Sequence, residues 1–168
     1  MEPQSGGTWK FTTIDAFRGM PHPGFPYGGV IFDGSGNLYG TTYFGGQNGL
    51  GSVYKLKNTN GKWTESQLYS FKGSNDGSLP TSTLVFDANG NLYGTTSAGG
   101  DSNDDGTIFK LTPTSGGKYK ESIVHHFKNV PDGANPNYGL TIDKSGNLFG
   151  TAPFGGLHNA GAAFELIP

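Results

Sequence analysis

Short apolar runs separated by clusters of Gly, Asn, Asp and Pro make up this chain. No window sustains a 3.6-residue period, so the pattern predicts strands and essentially no helix. The runs recur. Gly-Asn-Leu-Tyr-Gly-Thr-Thr stands at 36–42 and 90–96 and returns as Gly-Asn-Leu-Phe-Gly-Thr-Ala at 146–152. Trp9, Trp63 and Tyr119, like Phe17, Phe71 and Phe127, keep the same spacings of 54 and 56 residues. The chain therefore reads as a single domain of three repeats, 6–60, 61–116 and 117–168.

Each copy holds four stretches with strand character. The first is Trp9–Phe17, Trp63–Phe71 and Tyr119–Phe127. The second, Val30–Phe32, Leu84–Phe86 and Leu140–Ile142, is nearly all apolar, as expected of a strand covered on both faces. An Asp-x-x-Gly turn follows (residues 33–36, 87–90 and 143–146), in which Asp accepts from its own turn and Gly tolerates positive φ. The third stretch is the repeated motif, whose central Gly40, Gly94 and Gly150 predict close approach of a neighbouring sheet. A Gly-Gly loop leads to the fourth, residues 51–56, 106–111 and 161–166.

Four-stranded repeats of this size predict an all-β fold, a β-propeller with three repeats in the chain. A β-trefoil is the alternative, because three four-stranded copies are also its arithmetic. The Gly-Asn-Leu-Tyr/Phe-Gly-Thr core, the Gly-Gly pairs 45–46, 99–100 and 155–156 and the Phe-Lys-Leu strand resemble the GloVer tandem repeat, a family of propeller-like repeats in secreted or surface-anchored bacterial proteins. Copy three departs from the pattern at Ala152-Pro153 and at Glu165. The resemblance implies an extracellular or cell-surface setting for the parent protein and little about chemistry. The first residues carry neither a charged nor an apolar signal region, so no signal peptide is expected within these residues.

The phase of the strands bears on assembly. With the apolar second stretch innermost, residues 9–17 are an outer strand without a sheet of their own, and the last sheet lacks its outer strand. Propellers have about four to eight blades, so two chains, each completing the other's last sheet by N-terminal strand exchange, predict a six-bladed homodimer.

Composition narrows the partners. Glycine is 30 of 168 residues, only 14% are charged, and the net charge is −2, which argues against nucleic acid and anionic membrane as partners. No apolar window is long enough to span a bilayer. Cysteine is absent, which removes disulfides and thiolate chemistry.

The loops 18–27, 72–81 and 128–137, and those after the third stretch, differ most between copies, and variable loops on a constant frame are where binding sites form. Candidate ligand-binding residues are His22, Phe25, Tyr27, Tyr43, Phe44, Asp76, Asp132, Tyr138, Phe154 and His158. Their exposed aromatics suit stacking on sugar rings. The leading reading is a non-catalytic module for a glycan or other extracellular ligand. A self-assembling structural repeat is the second, and a hydrolase or lyase using His22, Asp76 and Asp132 the third. Asp76-Gly77 and Asp132-Gly133 also read as tight turns. Asp101, Asn103 and Asp105 have the spacing that opens a calcium loop, without the acid such a loop needs at its twelfth position; a solvated acidic turn is the other reading. His125 and His126 lie in a strand and point to opposite faces. No nucleophile elbow, phosphate loop or zinc spacing is present.

Overall fold

The Asp-x-x-Gly turns form as expected. In the computed structural model, which describes residue 7 and residues 9–168, Asp33 Oδ1 accepts from the backbone N–H groups of Ser35 and Asn37, and Oδ2 accepts from Asn37 Nδ2 at 2.8 Å. Asp87 and Asp143 repeat these contacts. Burial pushes the Asp33 carboxyl up, but the donors of Asn37, Ser35 and Tyr39 bring it down to about 2. A carboxylate so supplied with donors holds its turn shut at neutral pH.

Those turns join the second and third strands of three antiparallel sheets. Sheet 1 contains β1 (Pro23–Pro26), β2 (Ile31–Phe32), β3 (Leu38–Gly45), β4 (Ser52–Thr59) and β5 (Lys62–Ser70), with β1 and β2 both on the same edge of β3. Sheet 2 repeats this with β6 (Ser78–Pro80), β7 (Val85–Phe86), β8 (Leu92–Ala98), β9 (Thr107–Pro113) and β10 (Tyr119–His126). Sheet 3 has β11 (Thr141–Ile142), β12 (Leu148–Ala152) and β13 (Ala162–Leu166). Two single turns of 3-10 helix, Ser74–Asp76 and Ser115–Gly117, are the only helical segments among the described residues. The fold is all-β, and none of the described sheets closes on itself.

Three local expectations need correction. Residues 9–17 do not form a strand across their length: no described strand pairs with them, and backbone without a pairing neighbour cannot make a ladder. Parts of the segments read as loops, Pro23–Pro26 and Ser78–Pro80, are strands that pair with the far halves of β3 and β8. Their prolines sit at an edge, where a missing N–H costs no ladder bond. The motif glycines admit no neighbouring sheet. Gly40, Gly94 and Gly150 lie opposite Tyr54, Phe109 and Phe164 of the adjacent strand, and a Cβ would come within 2.5–2.7 Å of those rings. The aromatic ring fills the space that the absent side chain leaves.

That ring is half of the joint between sheets. Phe71, just past β5, packs edge-on against Phe109 of sheet 2 (centroids 5.0 Å apart, 68°), and Phe127, just past β10, does the same against Phe164 of sheet 3 (5.2 Å, 65°). Around the first pair gather Tyr39, Val53, Leu84, Leu92 and Leu111, and around the second Ile108, Leu140, Leu148 and Ala152. Edge-to-face pairs of this kind add about 0.5–1.5 kcal/mol beyond their buried area. Thr41 and Thr95, fully buried, donate across the same joints to the carbonyls of Ser82 (2.9 Å) and Pro136 (2.8 Å).

Candidate functional site

The inner strands begin with an unusual backbone. Phe25, Leu79 and Asn135 occupy equivalent positions, each immediately before a proline, and all three have φ between 52° and 57°. A non-glycine residue in the left-handed region is uncommon, and proline restricts its predecessor further. The constraint is met by bonds to the preceding sheet: the N–H of Leu79 donates to the carbonyl of Leu50 (2.9 Å), and that of Asn135 to the carbonyl of Asp105 (2.7 Å). Strained positions of this kind collect at functional sites. Two of these positions, Leu79 and Asn135, come together on one face of the molecule.

On that face lies a cavity of about 740 Å³ lined by Tyr27, Tyr43, Tyr138 and Phe154, by Thr81, Ser97, Asn135 and Asn137, and by Leu79 and Ala98. These residues come from matching positions in the three copies: Tyr27, Thr81 and Asn137 are equivalent, as are Tyr43 and Ser97, Ala98 and Phe154, and Leu79 and Asn135. The wall from sheet 1 is a chain of touching rings, with Tyr27 tilted against Tyr43 at 5.6 Å, Tyr43 edge-on to Phe44 at 4.5 Å and Phe44 edge-on to Phe25 at 5.8 Å. Tyr138 and Phe154, both largely exposed, come from the third copy.

The polar lining divides into used and unused groups. Asn135 Nδ2 donates to the Ser97 carbonyl (2.7 Å), and the Ser97 hydroxyl to the Leu79 carbonyl (2.8 Å). Thr81 differs: it is only 9% exposed, and its hydroxyl has no hydrogen-bond partner. A buried, unpaired hydroxyl is costly, and this one lies beneath the cavity surface. No acidic or basic side chain lines the cavity.

The structure brings together some of the residues expected from sequence and separates others. Tyr27, Tyr43, Tyr138 and Phe154 line the cavity, and Phe25 and Phe44 back its sheet 1 wall. His22 and His158 are exposed, share loops with Tyr27 and Phe154, and do not line the cavity. Asp76 accepts from the Tyr69 hydroxyl and from the Lys72 N–H (2.7 Å). Asp132 likewise meets His125 Nε2 (2.7 Å) and the Lys128 N–H (3.2 Å). Both carboxylates close their own loops, and neither lines the cavity. In the 101–105 loop, Asp101 accepts from the Asn103 N–H (2.8 Å). Asp105 is buried with one oxygen unpaired. Burial, and then the charges of Asp101, Asp132 and Asp104, raise its pKa. No three His, Asp or Glu side chains gather in a metal-holding group among the described residues.

Sequence reasoning missed Thr81, Ser97, Asn135 and Asn137. Residue type alone does not distinguish them from ordinary loop residues, although the repeated x-Pro step at 25–26, 79–80 and 135–136 marks the place. A second depression of about 440 Å³ lies among the Asp87 and Asp143 turns. The carboxylates there already serve the turns. No helix among the described residues is long and apolar enough to cross a membrane. The family described as the Gloeobacter/Verrucomicrobia repeat matches residues 1–168, the whole chain. Among curated proteins, none matches.

Proposed function

Since this chain belongs to the Gloeobacter/Verrucomicrobia repeat family, we propose that it is a non-catalytic binding module, its sheets the blades of a β-propeller, that takes a neutral glycan in the aromatic cavity. The carrying observation is a cavity walled by tyrosine and phenylalanine, edged by Thr81, Ser97, Asn135 and Asn137, and free of charged side chains. A sugar offers apolar faces to rings and hydroxyls to Asn and Tyr, and it brings no charge to be desolvated. The stacked sheets, each joined to the next by the same Phe-on-ring contact, support the propeller. A hydrolase or lyase working through His22, Asp76 and Asp132 has less support, because none of the three lines the cavity. A secreted or surface-anchored parent protein suits a glycan reader.

A glycan array followed by calorimetry on the hits tests the reading. Phe154→Ala and Tyr138→Ala are expected to weaken binding about 10- to 100-fold, the loss of one stacking surface each. Asn137→Ala is expected to weaken it about 5- to 10-fold, the value of one hydrogen bond. Binding that survives all three changes undiminished, or an array without neutral glycan hits, refutes the assignment.

A further inference from the structure

The two end sheets expose surfaces that are covered more fully elsewhere in the stack. Val30 is 49% exposed, whereas its equivalents Leu84 and Leu140 are 0% and 6% exposed. Phe149 is 37% exposed against 3% for its equivalent Tyr39, and Thr151 is exposed where Thr41 and Thr95 are buried. The first group faces the place where a sheet would precede sheet 1, and the second the place where a sheet would follow sheet 3. The two surfaces have the makings of one joint. Between sheets 1 and 2, Tyr39 packs edge-on against Phe86 (5.2 Å, 84°), and the equivalents of that pair are Phe149 at one end of the chain and Phe32 at the other. The inter-sheet donors follow suit, for the Phe25 N–H has no bond of the kind that Leu79 and Asn135 make to a neighbouring sheet among the described residues.

The N-terminal segment is already placed as part of an absent sheet. Phe17 packs on Tyr54 of sheet 1 at 4.8 Å and 67°, nearly the geometry of Phe71 on Phe109 and of Phe127 on Phe164. Those two phenylalanines end the outer strands of sheets 1 and 2, so residues 9–17 stand where the outer strand of a preceding sheet belongs. Trp9 and Phe11 there are 66% and 81% exposed. At the other end, β13 is an open edge with no outer strand on it among the described residues. Beside that edge the His125–Asp132 pair borders a cleft of about 110 Å³ that also touches Phe127, Phe164 and Leu166.

We infer that the occupant of both ends is a second copy of this chain, related by a two-fold axis. Residues 9–17 of each copy add to β13 of the other, and the end faces join into a ring of six sheets. The register follows from the internal copies. Glu65 faces Leu56 and Ser66 faces Lys55 in sheet 1, as Glu121 faces Leu111 and Ser122 faces Lys110 in sheet 2. The same rule sets Phe11 of one copy opposite Leu166 of the other, and Thr12 opposite Glu165. Phe11 then covers the cleft beside His125 and Asp132, where the internal joint has Glu121 beside Tyr69 and Asp76. Two copies are the smallest closed number, because three sheets fall short of the roughly four that a propeller needs. Closure also faces the cavity of one copy with that of the other, so the binding face is complete only in the pair. The inference rests on the stacking of the sheets and not on the ligand of the cavity.

The test needs no ligand. Light scattering on the full chain is expected to give twice the 17.7 kDa of one copy. Because the chain lacks cysteine, Thr12→Cys and Glu165→Cys in one chain are expected to give a covalent dimer on mild oxidation. The two single variants, mixed after denaturation and refolding, are expected to cross-link only with each other. Thr13→Pro, in a segment that pairs with no described strand of its own copy, is expected to yield a folded monomer. A wild-type monomer at micromolar concentration, open-ended oligomers, or a dimer that ignores both the cross-link and Thr13→Pro overturns the inference. Any of these results leaves the glycan reading to be judged by its own assay.

Discussion

Glu121 offers a quantitative test of the packing between sheets 1 and 2. It lies on β10, facing Tyr69 at the end of β5 and Asp76 in the loop beyond, and one of its oxygens is buried without a partner. Burial, reinforced by the charge of Asp76, pushes its carboxyl from 4.5 up to about 7. An acid whose pKa is raised on folding stabilises the fold fully below its unfolded value, and that stability is lost as pH rises through the folded value. The window therefore runs from about pH 4.5 to somewhat above 7. A rise of this size has a ceiling of about 3 kcal/mol. The side chain is only half-buried, so solvent screening reduces the expected loss to about 1–2 kcal/mol. With a urea slope near 2 kcal/mol/M, the unfolding midpoint should fall by about 0.5–1 M between pH 4.5 and pH 8. Glu121→Gln keeps the shape, removes the titration and can donate to Asp76, so its midpoint should change less by that amount over the same range. Measuring both proteins by urea melts at several pH values isolates the group. If the two curves run parallel, the carboxyl is not held as described, and the argument fails.

Further outcomes follow from the joints and turns. Phe71→Ala removes a fully buried ring from the core between sheets 1 and 2 and should cost about 3–5 kcal/mol in denaturant melts. Gly94→Ala would set a methyl 2.7 Å from the Phe109 ring and 2.9 Å from Leu84, so it should cost about 1–3 kcal/mol. Gly34→Ala, which meets nothing, should leave the melting temperature within about 2 °C of wild type. Asp87→Ala strips a turn of the acceptor for four donors and should cost about 1–2 kcal/mol at pH 7. Its deficit relative to wild type should shrink as pH falls below 4, because the Asp87 pKa is lowered in the fold: against the effect of burial, Asn91, Asn89 and Tyr93 all donate to it.

Much of the frame was legible because it is local or periodic. The Asp turns depend on residues two to four positions apart, and the equivalence of Phe17, Phe71 and Phe127 needed only counting. What filled the motif glycines was harder to see. The ring comes from a strand 14 or 15 residues away, and its direction depends on register, which the glycine itself does not declare. The segments 23–26 and 78–80 misled for a related reason, since proline signals a loop unless the strand lies at an edge. The cavity was half visible. Its aromatics stand out in a list of residue types, but Thr81, Asn135 and Asn137 join them only once separate loops are brought together. The left-handed backbone at Leu79 and Asn135 was invisible, because it is held by carbonyls of a neighbouring copy.

The sequence repeat and the sheets are out of step by one strand. Residues 61–116 begin with β5, which finishes sheet 1, and continue with the strands that build sheet 2. Every complete sheet is therefore a hybrid of two copies, and the pairing across that seam has the same register in both cases. In recombination terms the copies are interchangeable tiles. Excising 61–116 would bring β10 against β4 with Glu121 facing Leu56, where Glu65 faces it now. A gene for such a chain can gain or lose whole repeats by unequal crossing-over, and no sheet within the array is left with a mismatched strand.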